Sequence, residues 1–200
     1  MNVEKALSAL RENGFDARWF ATAAEAGDAL CAELKGKTVG IGGSVTVEQM
    51  GLGDRLSREN TVFWHWRQPA AEARKNAMAA EVYLLSANAV SETGALVNID
   101  GTGNRVSALS FGPGEVFVIA GVNKRVEGGE EAAIERIKTQ ACGKNARRLG
   151  LNTPCARLNR CVGEGGCASP QRMCNVVQKI ERAPGGRAFH VVLIDEALGY

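Results

Sequence analysis

Four of the six cysteines lie close together in the segment TPCARLNRCVGEGGCASPQRMCN, residues 153–175. They are Cys155, Cys161, Cys167 and Cys174, in the spacing C-x5-C-x5-C-x6-C. Four thiolates suit a tetrahedral zinc ion or an iron-sulfur cluster, and ligand type alone does not separate the two. The spacing is longer than the short cysteine pairs typical of structural zinc sites. The segment therefore indicates a metal or cluster site, with redox-active thiols and incidental cysteines as the alternatives.

The residues between these cysteines favour such a site. Three glycines supply the flexibility that convergence of long loops needs, namely Gly163, Gly165 and Gly166. Three basic residues lower thiol pKa values and offset the charge of a thiolate-bound centre, namely Arg157, Arg160 and Arg172. A disulfide framework is disfavoured because a reducing cytosol keeps thiols free. Cys31 and Cys142 lie far from the group in the sequence.

A second candidate is the glycine-rich loop in TVGIGGSVTVEQMGL, residues 38–52, where a short β-branched run passes into a helix-compatible segment. Such a loop exposes backbone N–H groups that suit a phosphate or a carboxylate. The candidate ligand-binding residues here are Gly42, Gly43, Ser44 and Thr46. The alternative is a plain tight turn in which Ser44 caps the helix. The loop lacks the lysine of a P-loop and the spacing of a dinucleotide fingerprint.

The third candidate is the polar segment SANAVSETGALVNIDGTGNRVSAL, residues 86–109, which follows the apolar run VYLLS. We interpret it as a loop after a buried strand, a position where proteins often bind ligands. Turn formation explains Thr93-Gly94 and Asp100-Gly101. It does not explain the concentration of amide and guanidinium groups. The candidate ligand-binding residues are Asn88, Asn98, Thr102, Asn104 and Arg105.

Strand and helix patterns alternate along the chain and position these candidates. Helical spacing is predicted for residues 2–13, 23–35, 69–80 and 129–149. Strands are predicted at 15–20, 61–66, 82–86 and within 115–124, and VVQKIER and AFHVVLID are two more, joined through the PGG turn at 184–186. Apolar runs without alternation indicate strands covered on both faces. We therefore predict an α/β fold with a mostly parallel central sheet flanked by helices and a ligand site at the carboxyl ends of the strands.

The two histidines are predicted to have structural positions and no role in binding or catalysis. His65 lies between Trp64 and Trp66 in TVFWHW, and alternation on a strand would place it on the opposite face from both rings. We therefore predict ordinary packing or surface exposure for His65. His190, in AFHVVLID, is predicted to be a strand residue and not a ligand.

Length and composition limit the class of protein. The chain has 200 residues, of which 45% are apolar, and we predict a single domain over residues 1–200. The net charge of +2 supplies no broad electrostatic footprint for nucleic acid. No window approaches the roughly 18 uninterrupted apolar residues that indicate a membrane span. We therefore expect a cytoplasmic protein with no nucleic-acid partner and no membrane span, and homo-oligomer formation is an open alternative.

Several motifs together resemble the lactate-utilisation (LUD) domain family. They are VGIGGSVTVEQMGL, SANAVSETGALVNIDGTGNRVSAL, GVNK, ARRLGLNTPC and RMCN, and the resemblance extends to the closing EALGY. It implies a fold like that of sugar-phosphate isomerases and CoA transferases, with a cleft at the strand ends. It also implies a link with bacterial lactate oxidation, in which the domain occurs alone or beside iron-sulfur ferredoxin-like modules. This chain resembles the stand-alone form.

The resemblance further implies how the candidate sites combine. The glycine-rich loop, the loop from Asn98 to Arg105 and Lys124 would face one cleft that holds a small carboxylate or a phosphate-bearing ligand. Asp100 and Lys124 would serve as acid and base.

Two hypotheses follow. In the first, a redox accessory protein of lactate utilisation uses an iron-sulfur cluster or thiols and contacts iron-sulfur or oxidoreductase partner proteins. In the second, a non-redox ligand-binding protein or isomerase- or transferase-like enzyme holds zinc as a structural clamp, or no metal.

Overall fold

The strands form two sheets in the computed structural model, which describes residues 2–163 and 167–200. The strands are β1 (Asp16–Phe20), β2 (Thr38–Ile41), β3 (Thr61–Trp64), β4 (Val82–Leu85), β5 (Ala89–Ser91), β6 (Leu96–Asp100), β7 (Glu115–Gly121), β8 (Arg125–Val126), β9 (Val176–Ile180) and β10 (Ala188–Ile194). The larger sheet has the order β1-β10-β7-β4-β2-β3, and the smaller has the order β8-β5-β6-β9. Every pairing in the larger sheet is parallel.

Helices connect most of these strands. They are α1 (Val3–Glu12), α2 (Ala23–Glu33), α3 (Val45–Gln49), α4 (Leu52–Leu56), α5 (Ala70–Met78), α6 (Asn104–Ser110), α7 (Glu130–Arg136), α8 (Cys142–Arg148) and α9 (Pro154–Leu158). A 3-10 turn at Val122–Lys124 follows β7, and a π-helical segment at Ile137–Ala141 joins α7 to α8. The glycines at 165 and 166 of the cysteine segment lie outside the described residues.

The residues of β7 alternate between two hydrophobic cores. Val116 and Val118 pack in a core that includes Leu10 of α1, whereas Phe117 and Ile119 pack in a core on the opposite face of the sheet. All residues of β7 after Glu115 are buried. This arrangement explains why its sequence is an uninterrupted apolar run, as expected for a strand covered on both faces. The predicted α/β fold with a mostly parallel sheet is confirmed.

The segment 86–109 is not the irregular loop that its polar composition predicts. It contains β5 and β6, which pair antiparallel with each other, and β6 also pairs antiparallel with β9. The prediction was wrong for these residues because pairing with a strand about 80 positions away is invisible to local turn signals. The two predicted C-terminal strands are present as β9 and β10, but they lie in different sheets. The PGG turn therefore links the two sheets.

The predicted helix over 129–149 is present, but it is not uniform. Its middle turn, Ile137–Ala141, is π-helical. Such segments occur frequently at functional sites. Within residues 2–163 and 167–200, no helix is both long enough and apolar enough to cross a membrane.

The region around His65 also differs from the prediction. Strand β3 ends at Trp64, so His65 and Trp66 lie in the turn that follows it. Because the chain turns there, the His65 ring meets the Trp66 ring edge-on with centroids 6.3 Å apart, instead of lying on the opposite face from it. The rings of Trp64 and Trp66 stack with centroids 5.6 Å apart. His190 lies in β10, as predicted.

Parallel pairing brings the carboxyl ends of all six strands to one edge of the larger sheet. The segments that follow β2, β3, β4, β7 and β10 begin with Gly42, His65, Ser86, Val122 and Asp195. Ligands of open α/β sheets bind outside this carboxyl edge. The fold therefore brings distant candidate residues together.

Candidate functional site

A cavity of about 430 Å³ lies at the carboxyl edge of the larger sheet. Most of the residues that the sequence predicts as site residues line it. They are Gly43, Ser44, Asn88, Asp100, Thr102, Asn104, Arg105, Lys124, Cys155, Cys167 and Cys174. Four others do not line it, namely Gly42, Thr46, Asn98 and Cys161. The volume lies within the range of small-molecule sites, about 300–1,000 Å³.

Lys124 is a buried residue of the cavity wall. Its Nζ donates hydrogen bonds to Thr46 Oγ1 at 2.8 Å and to Ser86 Oγ at 2.7 Å. Burial, reinforced by the nearby charges of Arg136 and Arg105, lowers the pKa of Lys124 from 10.5 to about 7. In the described part of the chain no carboxylate pairs with it. Lys124 therefore exchanges a proton near neutral pH, as an acid or base must.

Asp100 is held firmly at the end of β6. Its Oδ1 accepts hydrogen bonds from the backbone N–H groups of Thr102 and Gly103, at 3.0 and 2.8 Å. Its Oδ2 lies 2.9 Å from Arg105 Nε in an ion pair whose side chains are 5% and 12% exposed. Arg105 also donates to the carbonyls of Ser86 and Ile99. These contacts fix the Asp100 carboxylate at the start of α6.

The side chains of the asparagines in segment 86–109 mainly form hydrogen bonds with backbone groups of the same segment. Asn88 Oδ1 accepts from Ile99 N at 2.9 Å, and Asn98 Oδ1 accepts from Asn88 N at 3.2 Å. Asn98 is fully buried, and its Nδ2 has no hydrogen-bond partner among the described residues. Asn104 Nδ2 lies 3.5 Å from the Tyr83 hydroxyl. This part of the candidate set thus joins β4, β5 and β6 at the cavity wall.

The glycine-rich loop adopts the conformation of a strand-to-helix turn. Ser44 Oγ accepts a hydrogen bond from Val47 N at 3.2 Å and caps α3, which is the second interpretation that its sequence allows. A Cβ on Gly42 would lie 3.0 Å from the Arg105 side chain, and one on Gly43 would lie 3.5 Å from His65 Nε2. The absence of a side chain at Gly42 therefore lets the loop approach Arg105 closely, whereas the contact at Gly43 is an ordinary van der Waals distance.

Several cavity residues were not predicted from the sequence. They are His65, Trp66, Arg74, Arg148, Cys142 and Tyr200. Burial, with Arg74 next in importance, lowers the pKa of His65. The Arg148 guanidinium lies over the Trp66 ring, 4.6 Å from its centroid. Only the position of His65 and Trp66 at the end of a predicted strand is a sequence signal for any of them.

The charge of the cavity wall is mainly positive. Four arginines line it together with Lys124, namely Arg74, Arg105, Arg148 and Arg172, against one described side-chain carboxylate, Asp100. Asp100 is already paired with Arg105. Arg74 Nε is buried and has no hydrogen-bond partner among the described residues. The cavity is therefore suited to an anion.

The cysteines converge, but in a different set from the predicted one. Cys142, which lies far from the others in the sequence, is next to Cys155 and Cys161, and burial followed by these two sulfurs raises its pKa to about 12. Lys138 O accepts from both Cys142 Sγ and Cys161 N, each at 2.8 Å. A cysteine outside the predicted set thus lies beside two of its members.

The other two cysteines of the predicted set, Cys167 and Cys174, lie near Arg172. Its Nε lies 3.1 Å from Cys174 Sγ, and this contact, with the nearby sulfurs of Cys167 and Cys161, raises the pKa of Arg172. All six cysteines of the chain are free thiols.

The described residues do not form a ready-made metal site. In residues 2–163 and 167–200 no three His, Cys, Asp or Glu side chains are arranged to hold one ion. A zinc ion needs about four ligands at close to 2.3 Å for sulfur. The predicted centre of Cys155, Cys161, Cys167 and Cys174 therefore stays a prediction.

The strand order, the helices on both faces and the cavity at the carboxyl edge define an α/β protein with a mostly parallel sheet. A solved structure described as a DUF162 family protein from Deinococcus radiodurans matches it with a TM-score of 0.55, over 96% of this chain and 95% of that chain. The two sequences are 14% identical, so this likeness concerns the fold.

The model of the LUD domain family matches residues 3–194, and the chain belongs to that family. The DUF162 protein is a member of the same family. Among curated proteins, none matches the sequence. The predicted resemblance is confirmed, and it relates the protein in general terms to lactate utilisation.

Proposed function

We propose that the protein binds a small organic anion of the 2-hydroxy or 2-oxo carboxylate class and acts as an accessory component of lactate utilisation. The observation that supports this most directly is that one cavity is lined by buried Lys124 and by Arg74, whose Nε has no hydrogen-bond partner among the described residues. A carboxylate or a phosphate group fits the same chemistry, because a guanidinium binds either in a bidentate manner.

Arg74 is the residue that we assign to the anion. The guanidinium of Arg105 is used by Asp100 and two backbone carbonyls, and that of Arg148 donates to Asn145 Oδ1. Arg74 has no such partner in the described residues, although its Nε is buried. A buried donor without an acceptor is costly, and a bound anion would satisfy it.

Lys124 is the group that we assign to acid and base chemistry. Its pKa of about 7 lets the amine accept or release a proton at neutral pH. We propose that Asp100, which the sequence predicts as its catalytic partner, positions Arg105 and the start of α6. The ligand-binding roles predicted for Asn88, Gly43 and Ser44 are retained as proposals about the cavity wall. Asn98, Gly42 and Thr46 do not line the cavity, and we propose that they support the residues that do.

Replacement of Arg74 tests the anion site. Arg74→Gln is expected to weaken binding of pyruvate, lactate or phosphate by roughly 10- to 100-fold, because a charge-assisted hydrogen bond contributes about 1.5–3 kcal/mol. Isothermal titration calorimetry at low ionic strength measures the change. Lys75→Gln is the matched control, since Lys75 is an exposed residue of the same helix and does not line the cavity.

Equal affinity of the Arg74→Gln and Lys75→Gln variants would remove the main support for the anion site. Loss of binding in both variants would point to general electrostatic attraction and would also contradict the assignment.

The cysteines support a second candidate function, a redox role. Cys142, Cys155, Cys167 and Cys174 line the same cavity as Lys124, so chemistry at sulfur would occur beside the bound anion. We propose that these cysteines contact iron-sulfur or oxidoreductase partner proteins. They would do so either as free thiols or with an iron-sulfur cluster or zinc, which would bind after the cysteine side chains rearrange. The alternative is a non-redox isomerase- or transferase-like protein in which the cysteines are structural.

A further inference from the structure

We propose that Lys124 forms an imine with the carbonyl carbon of a 2-oxo acid, such as pyruvate, bound in the cavity. The inference rests on the proposed anion site and names the substrate class and the reacting atom. Lys124 lines the cavity, and its Nζ is held by the hydroxyl groups of Thr46 and Ser86.

The hydrogen bonds around Nζ match a neutral amine. Thr46 Oγ1 donates to Leu198 O at 3.2 Å, and Ser86 Oγ donates to Ala87 O at 3.1 Å. Both hydroxyl hydrogens are thus committed, and both oxygens accept from Lys124. A neutral amine has two N–H donors and one lone pair, whereas an ammonium has three donors. Among the described residues Nζ has two acceptors, which leaves the third position for a lone pair.

The surrounding charges also favour the amine. Arg136 and Arg105 lie close enough to lower the pKa of Lys124 in addition to the effect of burial. An unprotonated lysine in a desolvated pocket next to cationic groups is the form that attacks carbonyl carbon. At pH 7 the unprotonated fraction of Lys124 is on the order of a thousandfold higher than that of a surface lysine.

The C-terminal residues close one side of the amine. Gly199 has a φ of +67°, and a Cβ there would lie 2.5 Å from Thr46 Oγ1 and 3.1 Å from Lys124 Nζ. Asn123 accepts from Leu198 N and donates to Gly199 O, so this segment is fixed over Lys124. Exclusion of water on this side favours the imine, whose formation releases water.

The reaction balances without an oxidant or a reductant. The Nζ lone pair attacks C2 of the 2-oxo acid, the C=O π bond opens, and one amine proton moves to the oxygen to give a carbinolamine. The C–O bond then breaks as the C=N bond forms, and the oxygen leaves as water with the second amine proton, while the carboxylate stays on the cationic wall. Lactate has no carbonyl at C2, so it binds the same wall but forms no imine.

Reductive trapping tests the proposal on the intact chain. Protein with pyruvate and cyanoborohydride at pH 7 is expected to gain one pyruvate-derived adduct, which peptide mapping locates at Lys124. Labelling there should exceed that of any surface lysine at least tenfold, and lactate should give none. Lys124→Arg keeps a basic hydrogen-bond donor but forms no imine, and it should abolish the adduct, whereas Lys75→Arg should retain it. Mapping of the wild-type adduct does not depend on the folding of either variant.

Three outcomes would overturn the imine. If calorimetry shows that pyruvate binds but no adduct is trapped, or if the adduct is spread over surface lysines, the covalent step is wrong and the anion site stands. If pyruvate, lactate and phosphate all fail to bind, the anion site and the imine fall together.

Discussion

Lys124 is held by hydroxyl groups and not by a carboxylate, and this determines its charge at neutral pH. A buried lysine normally keeps its proton only with an acidic partner. Here the neighbouring charges, Arg136 and Arg105, have the same sign as an ammonium. Native Lys124 therefore releases its proton at about pH 7, and the unfolded chain does so near pH 10.5.

This difference predicts how Lys124 affects stability. Between pH 7 and pH 10.5 the unfolded chain binds one more proton at this residue, so the free energy of unfolding rises with pH. The penalty for burying the charge is complete below pH 7 and is lost above pH 10.5. Lys124→Met removes the titrating group. The variant should thus be more stable than wild type at low pH, with the advantage falling by on the order of 5 kcal/mol across this range.

Urea unfolding of both proteins at a series of pH values measures this change. Subtracting one curve from the other cancels the other titrating groups. A constant difference between the two proteins at every pH would show that Lys124 keeps an ordinary pKa.

At the scale of the elements, segments that are distant in sequence meet at close range. A Cβ on Gly143 of α8 would lie 2.5 Å from Asn159 Cα and 2.7 Å from Cys155 O, so α9 packs directly on α8 at this glycine. This packing brings Cys142 to Cys155 and Cys161. The convergence of cysteines therefore depends on helix packing as much as on the spacing within residues 153–175.

The packing predicts that Cys142 affects any bound metal. If the proposed cluster or zinc forms, Cys142→Ser and Cys161→Ser should each lower the metal content of anaerobically purified protein, and Cys31→Ser should not. Metal analysis and visible absorption measure this, since a cluster absorbs broadly and zinc is colourless. Protein without metal in the wild type would contradict metal binding, and colourless protein with zinc alone would contradict the iron-sulfur version.

The elements were predicted unequally well from the sequence. Long apolar runs such as β7 were predicted because a strand buried on both faces has few polar residues. Helices such as α1 were predicted because burial of one face gives apolar residues a helical spacing. β5 and β6 were missed because they are short and rich in turn-forming residues, and their partner β9 lies far along the chain. Lys124 and Asp100 were found through motifs. Arg74 and Cys142 lie on helices with no unusual local pattern, and only the tertiary structure places them at the cavity.

At the scale of the whole molecule, the cavity lies where the two sheets and the helices after them meet. The larger sheet contributes Lys124 and the loops after its strands, the smaller sheet contributes Asp100, and α8 with the cysteine segment closes the other side. Arg136 joins these parts, because it donates to the carbonyls of Asn88, Asn123 and Tyr200. A ligand in the cavity would contact both sheets.

The central claim is that this cavity binds a small organic anion. A crystal structure of the protein with saturating pyruvate would test this claim most directly. The account predicts ligand density in the cavity, with a carboxylate oxygen within about 3.2 Å of the Arg74 guanidinium and C2 next to Lys124 Nζ. Ligand bound at another surface, with this cavity free of it, would contradict the account.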